Sequence, residues 1–209
     1  MTVQSSRWCC LIPVVAMLSA VEESFSYLTV LLSIVLGLAI TQVLLGARGL
    51  ILTRAKVKLY YPTLIWAGLI LLIAVQGWWA NFALHTHAGW TFGALLVIIL
   101  QAISLYMAAA LVLPDVTGSA LIDLRDHYFA HRSWFFGALL ASLVFSVAKE
   151  LVLAGHLPSP TNLEFHLIFG FSVILAAITR REWYHKLLAP VAALLFLIYT
   201  GILFARLPR

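Results

Sequence analysis

Lys149 and Glu150 are neighbours inside an apolar run that extends from Trp134 to Gly155. Ionisable side chains are unfavourable inside a membrane unless they are paired, hydrated or turned toward other helices. Lys149 precedes Gly155 by six residues, which is roughly 9 Å along a helix, so its long side chain can reach the interface. Glu150 is too short to do so and therefore needs either a partner inside the protein or a raised pKa.

Two glutamines supply candidate partners for this acid. Gln76 and Gln101 each lie eight or nine residues from the same side of the membrane as Glu150. We therefore predict a polar cluster of Gln76, Gln101 and Glu150 in the outer half of the membrane, with Lys149 reaching toward Glu164. Such a cluster could line a path for a solute or could only join helices, and the residue types leave both interpretations open.

Two of the apolar runs carry mostly small or hydroxyl residues at every fourth position. These residues are Ser33, Gly37 and Thr41 in one run, and Ala138, Ser142 and Ser146, followed by Glu150, in the other. Small residues on one helical face let a second helix approach closely in lipid. Because the two runs should be antiparallel, we predict that these two faces pack directly against each other.

His127 and His131 are four residues apart, which places both imidazoles on one helical face and makes them candidate metal ligands. Membrane di-iron hydroxylases and desaturases need more such boxes than this chain supplies. The seven histidines are also divided between two sides of the membrane: His85, His87, His156 and His166 outside, and His127, His131 and His185 inside. The favoured interpretation is interfacial histidines without a ligand. No metal site and no cofactor are predicted, and a haem or metal bound by neutral imidazoles is the alternative.

Motifs of soluble enzymes are absent from the sequence. It contains no G-x-S-x-G, H-E-x-x-H, Walker A or Rossmann glycine pattern, so nothing indicates nucleophilic or phosphate chemistry of those types. The only cysteines, Cys9 and Cys10, are adjacent and match no zinc or redox spacing.

The composition indicates that most of the chain lies in a lipid bilayer. Of 209 residues, 63% are hydrophobic and 10% charged, whereas soluble domains have roughly 45–50% and 25%. Six runs approach the roughly 20 apolar residues that a membrane-spanning helix needs. We predict an all-α fold, a single polytopic transmembrane helical bundle over residues 1–209, with spans near 25–45, 64–84, 92–113, 134–154, 163–178 and 187–205. The net charge of +5 then indicates membrane topology, and we predict the lipid bilayer but no nucleic acid as a partner.

Two further segments are expected outside these spans. Residues 1–21 contain a short apolar stretch interrupted by Pro13, which favours a short N-terminal interfacial helix over a seventh span. A true start at Met17 is another alternative. Between Thr117 and Arg132, the spacing of Leu121, Leu124 and Tyr128 predicts a short amphipathic helix on the cytoplasmic surface.

The basic residues indicate an orientation. The loops after spans one, three and five hold nine of the Lys and Arg residues, and the remainder of the chain holds four. Because basic residues collect in cytoplasmic loops, six spans place both termini on the periplasmic side.

Four segments carry a resemblance that covers most of the chain: Val30–Ile51, Gln76–Trp79, Tyr106–Asp115 and Asp123–Gly137. In these segments the sequence resembles a group of small bacterial inner-membrane proteins without an assigned function. The resemblance implies a multi-pass protein of the bacterial inner membrane, and it implies no substrate, cofactor or mechanism.

Three functions fit these observations. Short loops, small-residue faces and sparse intramembrane charge favour a non-catalytic accessory or structural subunit of a larger membrane complex, with other membrane protein chains as partners. A small transporter or channel with a polar path at Glu150 and Lys149 comes second. A haem- or metal-binding membrane oxidoreductase comes third, so an enzyme is the less favoured class.

Overall fold

The structure is a computed structural model that describes the backbone of residues 6–82, 84, 90–116 and 121–203. Side chains are described for residues 28–82, 84, 90–116 and 121–202. Six long helices account for most of these residues: α1 (Ser6–Leu52), α2 (Tyr61–Phe82), α3 (Phe92–Val112), α4 (Leu124–Ala154), α5 (Pro160–Ile178) and α6 (Glu182–Leu203). Between them lie a 3-10 turn (Arg54–Lys56) and two short strands, β1 (Val57–Lys58) and β2 (Ile122–Asp123).

Each of the six helices is long and apolar enough to cross a membrane. The predicted all-α transmembrane bundle is therefore confirmed, and the chain is an integral, multi-pass membrane protein. Helix α3 packs against α1 and α4, α4 packs against α5, and α2 contacts both α1 and α6. The core consists mainly of aliphatic side chains and alanine, with Trp66 and Phe136 fully buried at its centre.

The N-terminal segment differs from the prediction of a separate interfacial helix. Helix α1 is continuous from Ser6 to Leu52 over 47 residues, which corresponds to roughly 70 Å at 1.5 Å per residue. Pro13 does not end it, and no glycine or proline occurs between Pro13 and Gly37. Because nothing in that stretch breaks a helix, the segment continues directly into the first span.

The predicted cytoplasmic surface helix is likewise the beginning of a longer one. Helix α4 starts at Leu124, where the Oδ1 atom of Asp123 accepts hydrogen bonds from the backbone N–H groups of Arg125 and Asp126 at 3.0 and 3.3 Å. It ends at Ala154 and is followed by Gly155, whose φ of +72° is the left-handed conformation that glycine tolerates. No proline lies between the two ends, so a single helix forms. Residues 117–120 of the predicted segment lie outside the described residues.

The small-residue faces of α1 and α4 do not form the predicted interface. Thr41 is exposed, and a Cβ atom added to Gly37 would meet nothing within 4 Å. Helix α1 instead contacts α3, and its buried residues are spaced three, four or seven residues apart: Leu32, Leu36, Ala39, Val43 and Leu50. In the same register, a Cβ atom on Gly46 would lie 2.7 Å from the Cβ atom of Leu113. The larger apolar side chains define the packed face because they remove more surface from the surroundings and make more contacts.

Candidate functional site

A cavity of about 90 Å³ lies among α2, α3, α4, α5 and α6. Its polar wall consists of Gln76, Gln101, Ser142, Ser146, His166 and Tyr199, and its apolar wall of Ile73, Leu143, Phe165, Ile168, Phe169, Leu195 and Phe196. We call it the glutamine cavity. Two members of the predicted cluster, Gln76 and Gln101, therefore share one space. The predicted packing residues Ser142 and Ser146 also line this cavity.

The glutamine cavity lies toward the end of the bundle where α2 finishes and α3 begins. Gln76 is six residues from Phe82, and Ser146 is eight from Ala154, which places them roughly 9 and 12 Å inside the helix ends. Gln101 is nine residues, roughly 14 Å, from the start of α3 at Phe92. The cavity thus extends from near the middle of the helices toward this end of the bundle.

The two glutamine side chains can each form hydrogen bonds that the described protein groups do not supply. Each primary amide offers two donor hydrogens and one acceptor oxygen. Among the described residues, neither Gln76 nor Gln101 forms a side-chain hydrogen bond with another protein group. Because unsatisfied polar groups are unfavourable in a membrane interior, these amides favour a polar occupant of the cavity.

His166 contributes an imidazole ring whose two nitrogens both have hydrogen-bond partners. Its Nδ1 atom lies 2.8 Å from the carbonyl oxygen of Asn162, and a carbonyl can only accept, so Nδ1 carries the hydrogen. Its Nε2 atom lies 3.1 Å from the hydroxyl oxygen of Ser146. In the neutral ring, Nε2 accepts a hydrogen bond from this hydroxyl. The Tyr199 ring stands 6.1 Å from the imidazole ring. Sequence reasoning missed Tyr199, although a tyrosine within an apolar stretch of α6 is the kind of signal that could have identified it.

The charged members of the predicted cluster lie beside the cavity and are not part of its wall. Glu150 and Lys149 are half-buried, and neither of them lines the cavity. Glu164 is exposed, and the predicted approach of Lys149 to Glu164 yields no ion pair among the residues that the structure describes. Neighbouring helical residues point about 100° apart, so α5 presents Phe165 and His166 to the cavity and directs Glu164 away.

Two smaller cavities of about 40 Å³ each continue from the glutamine cavity toward α1. The nearer one shares Gln76, Gln101 and Ser142 with it. Asn81 lines both of the smaller cavities and is 8% exposed. Its Nδ2 atom donates to the carbonyl of Gly77 at 2.6 Å, but its Oδ1 atom has no protein partner. The polar groups therefore extend from the α5–α6 side of the bundle to the α1 side.

An aromatic layer adjoins the glutamine cavity on the side away from that end of the bundle. The fully buried ring of Trp66 contacts Phe135, Phe136 and Phe169 in edge-to-face arrangements at centroid distances of 5.6, 5.3 and 6.3 Å. Phe169 belongs to both the layer and the cavity wall. Packed rings of this kind exclude water, so the layer closes the cavity toward the opposite half of the membrane.

The opposite end of the bundle, which we call the basic end, contains the loops after α1, α3 and α5. Strands β1 and β2 pair in parallel there, and the Lys58 Nζ atom lies 3.5 Å from Oδ2 of Asp123. Desolvation acts to raise the pKa of Asp123, but its bonds to the backbone N–H groups of α4 and the Lys58 ammonium together hold that pKa below its usual value. Burial, with Glu182 and Tyr61 nearby, raises the pKa of Tyr60 to about 12.

A buried histidine at the basic end corrects the interfacial interpretation of the histidines. His185 is 0% exposed. Its Nε2 atom lies 3.0 Å from the Thr179 carbonyl, so Nε2 carries the hydrogen, and its Nδ1 atom accepts from the Tyr128 hydroxyl at 2.9 Å. Aromatic rings of α4 enclose it, with Phe129 at 5.1 Å. The sequence placed His185 near a loop, but it did not show that the ring turns inward.

The candidate metal ligands His127 and His131 lie on one face, as their spacing predicts. Their ring centroids are 4.5 Å apart. One nitrogen of each ring is already engaged: Nε2 of His127 with the Leu111 carbonyl at 3.1 Å, and Nδ1 of His131 with the His127 carbonyl at 3.0 Å. Within the part of the chain that the structure describes, no group of three or more potential metal ligands occurs. His85 and His87 lie outside those residues.

Comparison with known proteins identifies no family for this chain. No protein-family model, no curated protein and no solved structure matches the chain.

Proposed function

We propose that this integral membrane protein is a small transporter and that the glutamine cavity is its solute-binding site. The observation that carries this proposal is the pair of amides of Gln76 and Gln101, which no described protein group binds, in a cavity that is bordered on one side by an aromatic layer. Alternating access requires a solute site that is closed toward one side of the membrane while it is accessible from the other.

The lining favours an uncharged, hydrogen-bonding solute. Amides, hydroxyls and an imidazole form the polar wall, and Lys149 and Glu150 stand outside it. A volume of about 90 Å³ admits several water molecules or one molecule with a few non-hydrogen atoms. Glycerol and urea have this size and chemistry, and they are suitable probes.

The membrane and the orientation belong to the same proposal. The resemblance of the sequence favours the bacterial inner membrane, and the concentration of basic residues favours a cytoplasmic location for the basic end. The glutamine cavity then lies in the periplasmic half, and both termini are periplasmic.

Cysteine labelling tests whether water reaches the cavity. In a Cys9→Ser, Cys10→Ser background, Ser146→Cys places a thiol on the cavity wall, and the matched control Val144→Cys places one on the lipid-facing surface, where Val144 is 57% exposed. A membrane-impermeant maleimide added from the periplasmic side should modify Ser146→Cys and leave Val144→Cys unmodified. Equal, negligible labelling of both thiols would contradict an accessible site.

Solute flux tests transport itself. Proteoliposomes containing the wild-type protein should take up glycerol or urea faster than empty liposomes, and glycerol should protect Ser146→Cys from the maleimide. Gln101→Leu, which removes both donors and the acceptor at similar volume, should lower the uptake at least several-fold. If no tested neutral solute moves faster than through empty liposomes, transport by this cavity is disproved for that solute class.

A partner chain is a second proposal, in keeping with the accessory role that the sequence favours. Helix α5 buries only Gly170, Val173 and Ala176 among its described residues, so a wide apolar face remains for another transmembrane protein. Purification from the native membrane in a mild detergent should retain a stoichiometric second chain. Recovery of the protein alone would count against this role and leaves the flux experiment unaffected.

A further inference from the structure

The basic end carries a second concave site, between α4 and the loop that follows α5. This pocket has a volume of about 370 Å³ and is lined by Arg125, Phe129, Ala130 and Arg180. We call it the arginine pocket. The guanidinium carbon of Arg125 lies 5.5 Å from the centroid of the Phe129 ring, a cation–π distance that holds the arginine beside the pocket.

The two arginines of the pocket differ in how their charges are balanced. Arg125 donates from Nε and Nη2 to Oε2 of Glu182 at 3.1 and 3.0 Å, and Glu182 also binds Lys186 at 2.9 Å. Arg180 is exposed, and none of the ion pairs among the described residues includes it. The pocket therefore contains a guanidinium without a carboxylate partner.

The segment that carries this free guanidinium is held in place by α4. Arg132, only 9% exposed, donates from Nε to the Thr179 carbonyl at 3.2 Å. Ser133 donates to the Ala177 carbonyl, also at 3.2 Å. These bonds satisfy carbonyls at the C-terminus of α5, where a cation is favourable. Because the backbone next to Arg180 is already ordered, binding at the pocket requires little further ordering.

Apolar surface adjoins the pocket on the membrane side. Trp134 lies one helical turn beyond Ala130 on the same face of α4 and is 77% exposed, and Ile178, two residues before Arg180, is 72% exposed. A ligand that fits both parts has an anionic head and an apolar body. We infer that the arginine pocket binds the phosphate headgroup of an anionic phospholipid, whose acyl chains lie against Trp134 and Ile178.

The chemistry of the phosphate supports this assignment. Guanidinium groups match phosphate oxygens with two parallel hydrogen bonds and lose their hydration more readily than ammonium groups. Anionic lipids of the cytoplasmic leaflet are attracted to basic residues at the membrane surface. A free phosphate would use the same guanidinium but would leave the apolar surface unoccupied. Competition between phospholipid and inorganic phosphate therefore distinguishes the two ligands.

Lipid titration of the detergent-solubilised full-length protein tests the inference, with native mass spectrometry as the readout. Phosphatidylglycerol should bind more tightly than phosphatidylcholine of the same acyl chains, and excess inorganic phosphate should not displace it. Arg180→Gln should weaken phosphatidylglycerol binding about five-fold, the effect of one basic residue at a membrane surface. Because Arg180 is exposed and unpaired, this variant should fold normally.

Arg54→Gln is the matched control, because it removes the same charge from an exposed position at the same end of the bundle. It should leave phosphatidylglycerol binding unchanged. Equal losses in the two variants would show attraction by net charge alone and overturn the pocket. Equal binding of the two lipids, or displacement by inorganic phosphate, would overturn the lipid assignment.

Discussion

Tyr128 and His185 form a hydrogen bond between two helices with almost no access to solvent. The Tyr128 hydroxyl donates to Nδ1 of His185 at 2.9 Å, and the other ring nitrogen donates to the Thr179 carbonyl. A buried acceptor that loses its donor retains the full penalty of desolvation. This pair therefore contributes to stability mainly because each partner satisfies the other.

Tyr128→Phe should lower the free energy of unfolding by about 1–3 kcal/mol, because Nδ1 of His185 is then buried without a donor. Tyr61→Phe is the matched control: its hydroxyl donates to the Lys186 carbonyl at 3.0 Å from a side chain that is 47% exposed. This exposed change should alter the free energy by no more than about 0.5 kcal/mol. Denaturant titration in mixed micelles measures both, and equal effects would refute the importance of burial.

For individual residues, the sequence predicted the position along a helix better than the direction in which the side chain points. Counting residues from the helix ends placed Gln76 and Gln101 at one level, and they do share a cavity. The same count put Glu150 with them, but its place on the helix circumference directs it beside the wall. Which way a side chain faces depends on the neighbours that a helix acquires on folding, and His185 is turned inward by the rings of α4.

The helix α1 shows how elements select their packed face. Its contact with α3 uses the row that contains Leu36 and Val43, and Gly46 lies in the same register against Leu113. The row of Gly37 and Thr41 lies on a different side. A small-residue pattern permits close approach, but the larger apolar side chains in the three-and-four spacing determine where it happens.

Gly46→Ala should destabilise the bundle by about 1–3 kcal/mol, because the added methyl group would enter the space of Leu113. Gly37→Ala is the control on the same helix. Its new Cβ atom would meet nothing within 4 Å, and alanine favours the helix over glycine by up to about 1 kcal/mol, so stability should stay the same or rise. Thermal unfolding in detergent distinguishes the two, and loss of stability in Gly37→Ala alone would reverse our assignment of the packed face.

The start of α4 should respond to acid through Asp123. Because the folded protein lowers the pKa of this carboxyl group, the ionised form stabilises the fold, and its contribution is fully present above the ordinary value of 3.8. The contribution is lost as the pH falls through the lower, folded-state pKa. Asp123→Asn keeps an oxygen that can cap the helix but has no charge to lose.

The melting temperature of the wild-type protein should therefore fall more steeply below about pH 4 than that of Asp123→Asn. Above that pH the two curves should run parallel. Identical acid slopes would show that the capping carboxylate does not contribute to the pH dependence.

At the element scale, the sequence located all six spans but divided α4 incorrectly, because a surface pattern at a helix start resembles a separate helix.

For the whole molecule, the basic end and the end near the glutamine cavity should face opposite compartments. In the Cys9→Ser, Cys10→Ser background, His156→Cys should react with an impermeant maleimide added to intact cells, since His156 is exposed at the end of α4 near the cavity. Lys56→Cys, on the turn after α1, should react only after the membrane is permeabilised. The reverse pattern would contradict the orientation expected from the basic loops.

The short parallel pairing of β1 and β2 has a consequence for motion. Backbone hydrogen bonds fasten the α1–α2 hairpin to the α3–α4 hairpin at the basic end, whereas the α5–α6 hairpin is held there by side chains such as Arg132 and Tyr61. At the glutamine cavity, residues of α5 and α6 meet residues of α2, α3 and α4. A movement of α5 or α6 would therefore change the cavity wall without breaking the backbone hydrogen bonds between β1 and β2.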